Sequence, residues 1–256
     1  AGISTDIIGT VGTNTVTLTV SSSVILTSLI PTITISDYAT INPLSVVAND
    51  FSTPKTYTVT AEDGSTKNYT VTVKIVYNLP LVENFDGAAI PNGWTEVNTA
   101  GVTTPRWTIS TTVLAGGTAN EMKFTYQNIN PATSRFVTPP LNTQGMTQLD
   151  LSFKTNVNHY GAGYTLKVQS SSDGINWTDE AWTISPSAAV PASDINTIVT
   201  NNLGNVTYVA FTITGNLYQI NNWYIDNINI IEHVFVANEV EVSEAPEKWE
   251  IGRAHV

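Results

Sequence analysis

Apolar and polar residues alternate over short stretches of this chain, a pattern typical of β-strands with one buried face. Residues 15–20, Thr-Val-Thr-Leu-Thr-Val, show the pattern first, and residues 69–75 repeat it. The Asp-Gly pair at 63–64 precedes the second run, and such pairs close hairpins because glycine tolerates a positive φ. We therefore predict a hairpin over residues 56–75, within a sandwich of about seven short strands over residues 1–77.

Three motifs in this first region carry a family resemblance. They are LIPTITIS at residues 29–36, NDFSTP at 49–54 and, most strongly, YTVTAEDGSTKNYTVTV at 57–73. Over residues 7–76 the chain resembles the small immunoglobulin-like domains that occur, often in tandem, in bacterial surface proteins. The resemblance implies an immunoglobulin-like β-sandwich that serves chiefly as a spacer.

A second region, residues 83–232, again predicts strands and no helices. A linker is expected at 78–82, because a proline there ends the preceding strand without starting a helix. The region has about 150 residues, is rich in threonine and asparagine, and lacks helical periodicity, as expected for a jelly-roll sandwich. Its predicted strands lie at residues 149–153, 164–168, 206–213 and 223–230.

Four motifs in the second region resemble a known family. They are ENFDG at 83–87, IPNGW at 90–94, SSSDGINW at 170–177 and NWYIDNI at 222–228. Together they resemble the cleaved-adhesin or choice-of-anchor J domains of secreted bacterial proteins, which are similar to MAM domains and jelly-roll carbohydrate-binding modules. The resemblance implies export and display at the cell surface. The predicted fold class is thus all-β, an immunoglobulin-like sandwich followed by a jelly-roll β-sandwich.

The composition excludes several classes of partner. Charged residues make up 12% of the chain and the net charge is −11. Such a chain repels phosphate backbones and anionic lipid, so we expect no nucleic-acid partner. No apolar run approaches the ~18 residues needed to span a bilayer, so we expect no membrane span. The chain has no cysteine. Any metal must therefore be bound by oxygen. We also expect the module to be monomeric.

Carboxylates in the opening and closing motifs predict a calcium site. The jelly-roll resemblance places the first and last strands side by side, which brings Glu83 and Asp86 close to Asp226. Three carboxylates in a small space require a cation, and Ca²⁺ also accepts backbone and amide oxygens such as those of Asn84 and Asn227. We expect a structural ion. The alternative is that Glu83 caps a turn, Asp226 faces solvent and no ion binds.

Aromatic residues beside polar loops are the candidate ligand-binding groups. Sugars stack their CH faces on flat rings while neighbouring amides and hydroxyls bond the sugar hydroxyls. The residues in or beside such loops are Trp107, Tyr160, Trp182 and Tyr218. Packing inside the sandwich is the alternative for all four. For Trp94 and Trp223, which lie within the family motifs, we expect a place in the core.

No set of residues with a catalytic spacing is evident. His159 and His233 stand alone, and Asp179 and Glu180 are adjacent, so their side chains should diverge rather than face each other across a cleft. The segment SDGINW at 172–177 occurs once, which favours a hairpin turn with a buried tryptophan over a repeated propeller motif. We therefore expect no catalytic residues in this chain.

The last residues differ in character from the rest. Residues 250–256, EIGRAHV, are what a common short-read sequencing adapter encodes, so we interpret the chain as a truncated reading frame, with any export signal upstream of Ala1. Residues 233–256 are acidic and poor in apolar groups, and we expect no independent fold there.

The leading functional hypothesis is a non-catalytic module of a secreted or cell-surface bacterial protein, which binds glycan or a host or matrix protein in adhesion. The rival is the accessory C-terminal region of an extracellular protease or glycoside hydrolase. A purely structural stalk is the third possibility. The sequence does not distinguish among the three, and the ligand stays open.

Overall fold

The computed structural model describes residues 6–235, which form β-strands joined by turns and one short 3₁₀ helix at Leu26–Ser28. The predicted all-β class is confirmed. From residue 236 onwards the predicted acidic tail, with the adapter-like residues 250–256, lies outside the described residues. Within residues 6–235, no helix has the length and apolar character needed to cross a membrane.

The first part of the chain forms a five-stranded sheet. Its strands are β1 (Thr10–Val11), β2 (Thr15–Ser21), β3 (Thr40–Asn42), β4 (Lys55–Thr60) and β5 (Thr66–Val76). Their order is β1-β2-β5-β4-β3, with β2 parallel to β5 and the other pairs antiparallel. The predicted hairpin is confirmed: β4 and β5 pair across a turn in which Gly64 has a φ of +82° and Ala61 N donates to Ser65 O at 2.9 Å.

The strands of this region form a single sheet, and not the two sheets of the predicted sandwich. Segments outside the strands pack against its core: Leu29 and Asn49 form an isolated antiparallel bridge, and Leu29 and Ile33 contact the buried residues. Five strands are formed instead of about seven, because segments such as the one around Pro31, which lacks a backbone N–H, pair too briefly to form strands. The buried residues of this core are Phe51, Tyr57 and Val71.

The rest of the chain forms a sandwich of two antiparallel sheets. Its strands are β6 (Leu81–Glu83), β7 (Thr95–Asn98), β8 (Trp107–Ser110), β9 (Glu121–Thr125), β10 (Ala132–Val137), β11 (Leu149–His159), β12 (Tyr164–Ser171), β13 (Thr178–Ile184), β14 (Val190–Val199), β15 (Tyr208–Gly215) and β16 (Ile220–Glu232). One sheet has the order β13-β12-β15-β10-β7, and the other β14-β11-β16-β9-β8. The short strand β6 pairs with β16, so the opening motif lies beside the closing motif, as the jelly-roll resemblance predicts.

Aromatic side chains join the two sheets of the sandwich. Phe153 and Phe211, from opposite sheets, meet edge to face at 5.0 Å between ring centroids. They belong to a core of 25 buried hydrophobic residues. Trp94 and Trp223 are also in this core, with 6% and 0% of their surfaces exposed, which confirms the prediction made for both.

Hydrogen bonds connect the first sheet directly to the sandwich. Tyr77 follows β5 and makes two of them: its N donates to Pro140 O, and its O accepts from Asn142 N, each at 2.8 Å. Asn78 Nδ2 also donates to Ser21 Oγ at 3.4 Å. Strand β6 then begins at residue 81, inside the segment predicted as a linker, so the connection between the two parts is short.

Candidate functional site

Trp107 belongs to the core and cannot contact a ligand, so the prediction for this residue is wrong. It lies on β8 with 0% of its surface exposed. Its ring packs against Phe136 and Trp223, both at centroid distances of 5.4 Å, and its Nε1 donates to Ser134 Oγ at 2.9 Å. The strand is only four residues long, too short for its alternation to be recognised in the sequence.

Trp182 also serves the core rather than a loop. It lies on β13, where its ring packs edge to face against Phe153 at 5.2 Å and stacks on Trp223 at 6.1 Å. The side chain is partly buried by these contacts. Its assignment as a loop residue available to a ligand is therefore corrected.

The other two predicted residues, Tyr160 and Tyr218, come together with a third tyrosine, Tyr126. The ring centroids of Tyr160 and Tyr218 are 5.5 Å apart, and those of Tyr126 and Tyr218 are 5.9 Å apart, both edge to face. The three side chains are 61%, 40% and 45% exposed in the order Tyr160, Tyr218, Tyr126. We name these three residues the tyrosine cluster.

Backbone hydrogen bonds fix the loops that carry the tyrosine cluster. Tyr160 N and Gly161 N both donate to Gln219 O, at 3.1 and 2.8 Å, and Tyr126 N donates to Asn221 O at 3.2 Å. Gly161 approaches so closely that a Cβ at this position would overlap the side-chain amide of Gln219. These bonds join the loops at one end of the sandwich, which brings the three rings together.

Amide side chains lie beside the tyrosine cluster. Asn221 Nδ2 donates to Asn158 Oδ1 at 3.2 Å, and Asn216 Oδ1 accepts from Tyr218 N at 3.2 Å. Asn158 is exposed, whereas Asn216 and Gln219 are partly exposed. Amides offer both donors and acceptors, so this surface can stack an apolar ligand face and bond the hydroxyls at its rim.

Sequence reasoning missed Tyr126 for a physical reason. Met122 and Phe124 point into the core, and Tyr126 has the same parity, so alternation predicts that it is buried as well. Strand β9 ends at Thr125, however, and the chain turns outward there. No signal in the sequence marks that end.

Of the three carboxylates predicted to bind calcium, the structure brings two together. Glu83 Oε1 accepts from Phe85 N at 2.7 Å, so this side chain caps its own turn. Asp86 Oδ1 accepts from Thr118 Oγ1 at 2.8 Å, which places it against the β8–β9 loop, and its charge acts on Asp226. Among residues 6–235, no three acidic, histidine or cysteine side chains form a metal-binding group.

Asp226 is buried rather than facing solvent. Its Oδ1 accepts from Asn227 N at 2.7 Å, while its Oδ2 and the Oδ1 of Asn227 are buried without a hydrogen-bond partner in the described part of the chain. Burial raises the pKa of the Asp226 carboxyl to about 6, and the negative charges of Glu121 and Asp86 act in the same direction. The hydrogen bond from Asn227 N and the positive charge of Lys154 on the neighbouring strand oppose this rise only in part.

The β8–β9 loop closes over these unpaired oxygens. A Cβ at Gly117 would overlap Asp226 Oδ2 and would lie 2.9 Å from Asn227 Oδ1, so only glycine fits there. Glu121, which the sequence did not indicate, is fully buried and anchors the loop by accepting from Leu114 N at 2.9 Å and from Ala115 N at 2.7 Å. The two unpaired oxygens, one from a carboxylate and one from an amide, are of the kinds that Ca²⁺ accepts.

The remaining candidates have structural partners. His159 Nδ1 lies 2.8 Å from the Tyr164 hydroxyl, and His233 Nδ1 lies 2.9 Å from a carboxylate oxygen of Asp150. Glu180 is buried and accepts from Ser170 Oγ at 2.6 Å, whereas its neighbour Asp179 points outward, so the two diverge as predicted.

Comparison with known families gives a match for the first part of the chain. Residues 3–73 match the family model described as SGBP, N-terminal. Curated proteins give no match.

Comparison with solved structures gives several similarities of low identity. The K1 cleaved-adhesin domain of Lys-gingipain from Porphyromonas gingivalis W83 is 14% identical over 61% of this chain and 99% of that domain, with a TM-score of 0.44. A putative glycoside hydrolase from Bacteroides thetaiotaomicron is 16% identical over 88% of this chain and 92% of its own, with a TM-score of 0.42. The CBM22-1 xylan-binding domain of Paenibacillus barcinonensis Xyn10C is 12% identical over 59% and 92%, with a TM-score of 0.40. Likenesses at this level do not bear on function.

Proposed function

We propose that this chain is a non-catalytic glycan-binding module of a cell-surface or secreted protein, and that the tyrosine cluster is its ligand site. The observation that carries the proposal is the exposure of three rings on three separate loops that the backbone joins into one surface. Residues 3–73 match a model for the N-terminal part of SGBP proteins, which are surface glycan-binding proteins, and this match supports the same setting.

The chemistry of the tyrosine cluster suits a sugar better than a peptide or an apolar ligand. The rings lie edge to face, so neighbouring faces offer stacking positions in different directions, and the amides of Asn158, Asn216 and Gln219 lie within reach of hydroxyl groups. The three rings of the tyrosine cluster are not part of the buried core, which is formed by other residues of the sandwich. Their exposure is therefore not explained by folding.

A glycan array followed by titration calorimetry on the full chain tests the proposal. We expect at least one neutral oligosaccharide to bind, and we expect Tyr160→Ala and Tyr218→Ala each to weaken binding by about tenfold, since a stacked ring contributes on the order of 1–3 kcal/mol. Tyr38→Ala is the matched control, because Tyr38 is 82% exposed but lies in the first sheet region.

Two outcomes would reject this function. One is equal loss of binding in Tyr38→Ala and Tyr218→Ala. The other is that the chain binds a matrix protein but none of the oligosaccharides. That result would favour a protein partner for the module. Unchanged thermal unfolding of the variants confirms that a loss of binding reflects the site and not the fold.

We also propose that Asp226, Asn227 and Asp86 hold a structural Ca²⁺. The ion would neutralise the buried carboxylate and satisfy the two unpaired oxygens beneath Gly117, which ties the β8–β9 loop to the sandwich. Its role here is charge compensation and not catalysis.

Thermal unfolding in millimolar calcium and in chelator tests this site. An ion that binds only the folded state stabilises it by mass action, so we expect a higher midpoint with calcium. Asp226→Ala should remove most of the difference. Equal midpoints for the wild type in the two solutions would rule the site out, whatever the glycan measurements show.

A further inference from the structure

The outer face of the sheet β13-β12-β15-β10-β7 carries a second group of residues with binding chemistry. Arg135 on β10 pairs in register with Thr212 on β15, which pairs with Lys167 on β12. The guanidinium of Arg135 lies 5.3 Å from the ring centroid of Trp177, next to β13. Trp177 is partly buried, and not fully buried in its hairpin as predicted: its ring faces the guanidinium of Arg135, while its Nε1 is buried without a hydrogen-bond partner in the described part of the chain.

Three other polar side chains on this face bond to one another. Gln169 Oε1 accepts from Arg135 Nε at 2.8 Å, and Gln169 Nε2 donates to Asp179 Oδ1 at 2.7 Å. Asp179 Oδ2 forms an ion pair with Lys167 Nζ at 2.9 Å. The charge of Asp179 also acts on Arg135, although the two are not within ion-pair distance. The group therefore contains two cations and one carboxylate, which leaves one positive charge in excess.

Arg135 uses only part of its hydrogen-bonding capacity. Within residues 6–235 its Nη1 and Nη2 donate to no protein group, and no carboxylate lies within ion-pair distance. Gln169 and Trp177 contact the guanidinium and hold it in place. The group is partly removed from water, and this burial lowers its pKa. A fixed fork of free N–H groups is suited to bidentate recognition of a planar anion.

We propose that Arg135 and Trp177 form a second glycan subsite, which takes the carboxylate of an acidic sugar such as a uronate. The carboxylate accepts from the two terminal nitrogens of Arg135, and the exposed part of the Trp177 ring lies against the sugar. The positive charge is local in a chain with a net charge of −11, so it selects an anionic group at one point on the glycan. This subsite goes beyond the tyrosine cluster and does not depend on it.

Calorimetric titration of the full chain with oligogalacturonides tests the subsite. The uncharged match is the same oligosaccharide with its carboxyl groups reduced to alcohols. We expect binding of the acidic form that is about tenfold tighter than that of the reduced form, since a charge-assisted bidentate contact is worth about that factor. Moderate salt should weaken the acidic ligand and leave neutral ligands at the tyrosine cluster unaffected.

Variants of the arginine separate its charge from its shape. Arg135→Gln should abolish the preference for the acidic form, and Arg135→Lys should keep only a small part of it, because lysine lacks the planar fork. Lys154→Gln is the matched control: it removes another cation, one already paired with Asp194 and located in the other sheet. Full preference in Arg135→Gln, or equal affinity of the wild type for both forms, would overturn the proposal.

The outcomes are distinct from those for the tyrosine cluster. Tyr218→Ala should lose neutral glycans and retain the preference for the acidic sugar, whereas Arg135→Gln should do the reverse. A wild type that binds sulfated but not carboxylated oligosaccharides would contradict the carboxylate assignment, and one that binds no acidic glycan would reject the subsite. Unfolding midpoints measured for each variant show whether the fold is retained.

Discussion

The two parts of this protein are both built of β-strands, but their hydrophobic cores differ in size. The sandwich buries 25 hydrophobic residues, many of them aromatic, between its sheets. The first sheet buries a cluster of three, Phe51, Tyr57 and Val71. It also leaves large apolar side chains exposed, among them Ile25, Ile30, Tyr38, Leu44, Val46 and Val47.

This difference shows where precise positions are available. A dense core holds loops at fixed distances, and the tyrosine cluster, the buried Asp226 and the Arg135 face all belong to the sandwich. The first sheet has fewer interior contacts to hold a site in place. Substitutions in the two cores should therefore affect the molecule in separable ways.

The largest effect is expected from Phe136→Ala in the sandwich. Phe136 is fully buried and stacks on Trp94 at 4.8 Å, so truncation should cost about 3–5 kcal/mol. Tryptophan fluorescence during urea unfolding measures this selectively, because residues 1–80 contain no tryptophan. Val82→Ala, at a side chain that is 58% exposed, is the control. A loss below about 1 kcal/mol would contradict the dense core.

Tyr57→Ala should sharpen the comparison by destabilising only the first sheet. Its ring stacks near Phe51 with centroids 6.3 Å apart, and its removal should cost about 2–3 kcal/mol. The Tyr57 hydroxyl is buried and has no hydrogen-bond partner in the described chain, so Tyr57→Phe should instead stabilise the sheet by up to about 1 kcal/mol. Far-UV circular dichroism follows both variants. A parallel shift in tryptophan fluorescence would mean that the two parts unfold together.

A smaller and opposite effect is expected from Asp226→Asn in chelator. The amide removes a buried charge that Glu121 and Asp86 repel, so the sandwich should gain about 1–2 kcal/mol near neutral pH, where the carboxylate is ionised against a raised pKa of about 6. The variant should no longer respond to calcium. Asp194→Asn, which removes an exposed carboxylate paired with Lys154, should keep the calcium response. Destabilisation of Asp226→Asn in chelator would show that the charge is compensated in another way.

The smallest effect is expected from Gly161→Ala beside the tyrosine cluster. The added Cβ displaces only the end of the Gln219 side chain, so glycan affinity should fall a few-fold while the unfolding midpoint stays within error. Gly204→Ala, where a Cβ meets nothing within 4 Å, is the control for calorimetry. A large drop in stability at residue 161 would indicate that the loop junction supports the core.

Much of the fold follows from local pattern. The hairpin of β4 and β5 was predictable because two alternating runs flank an Asp-Gly turn, and β2 because its alternation is strict over six residues. Short strands were not predictable. Strand β8 has four residues, too few for alternation to show that Trp107 faces the core, and the residues that bury it lie on strands distant in the sequence.

The sites were predictable only in part. Tyr160 and Tyr218 follow from their loop composition, but their contact with Tyr126 depends on where β9 ends and on sheet register. Likewise, Asp86 and Asp226 are brought near each other by pairing of β6 with β16, whereas the role of Glu121 depends on a loop that folds back on its own strand. Strand register and loop closure depend on residues that are distant in the sequence, so no short motif indicates them.

The parallel pairing of β2 with β5 determines how the first sheet bears mechanical load. Seven residue pairs, from Thr15 with Thr70 to Ser21 with Val76, join the strand near the entry of the chain to the strand that leads into the sandwich. Tension between the two ends of this unit pulls these strands in opposite directions along their length, so the hydrogen bonds share the force in shear instead of opening one after another. A unit with a small buried core can in this way resist extension.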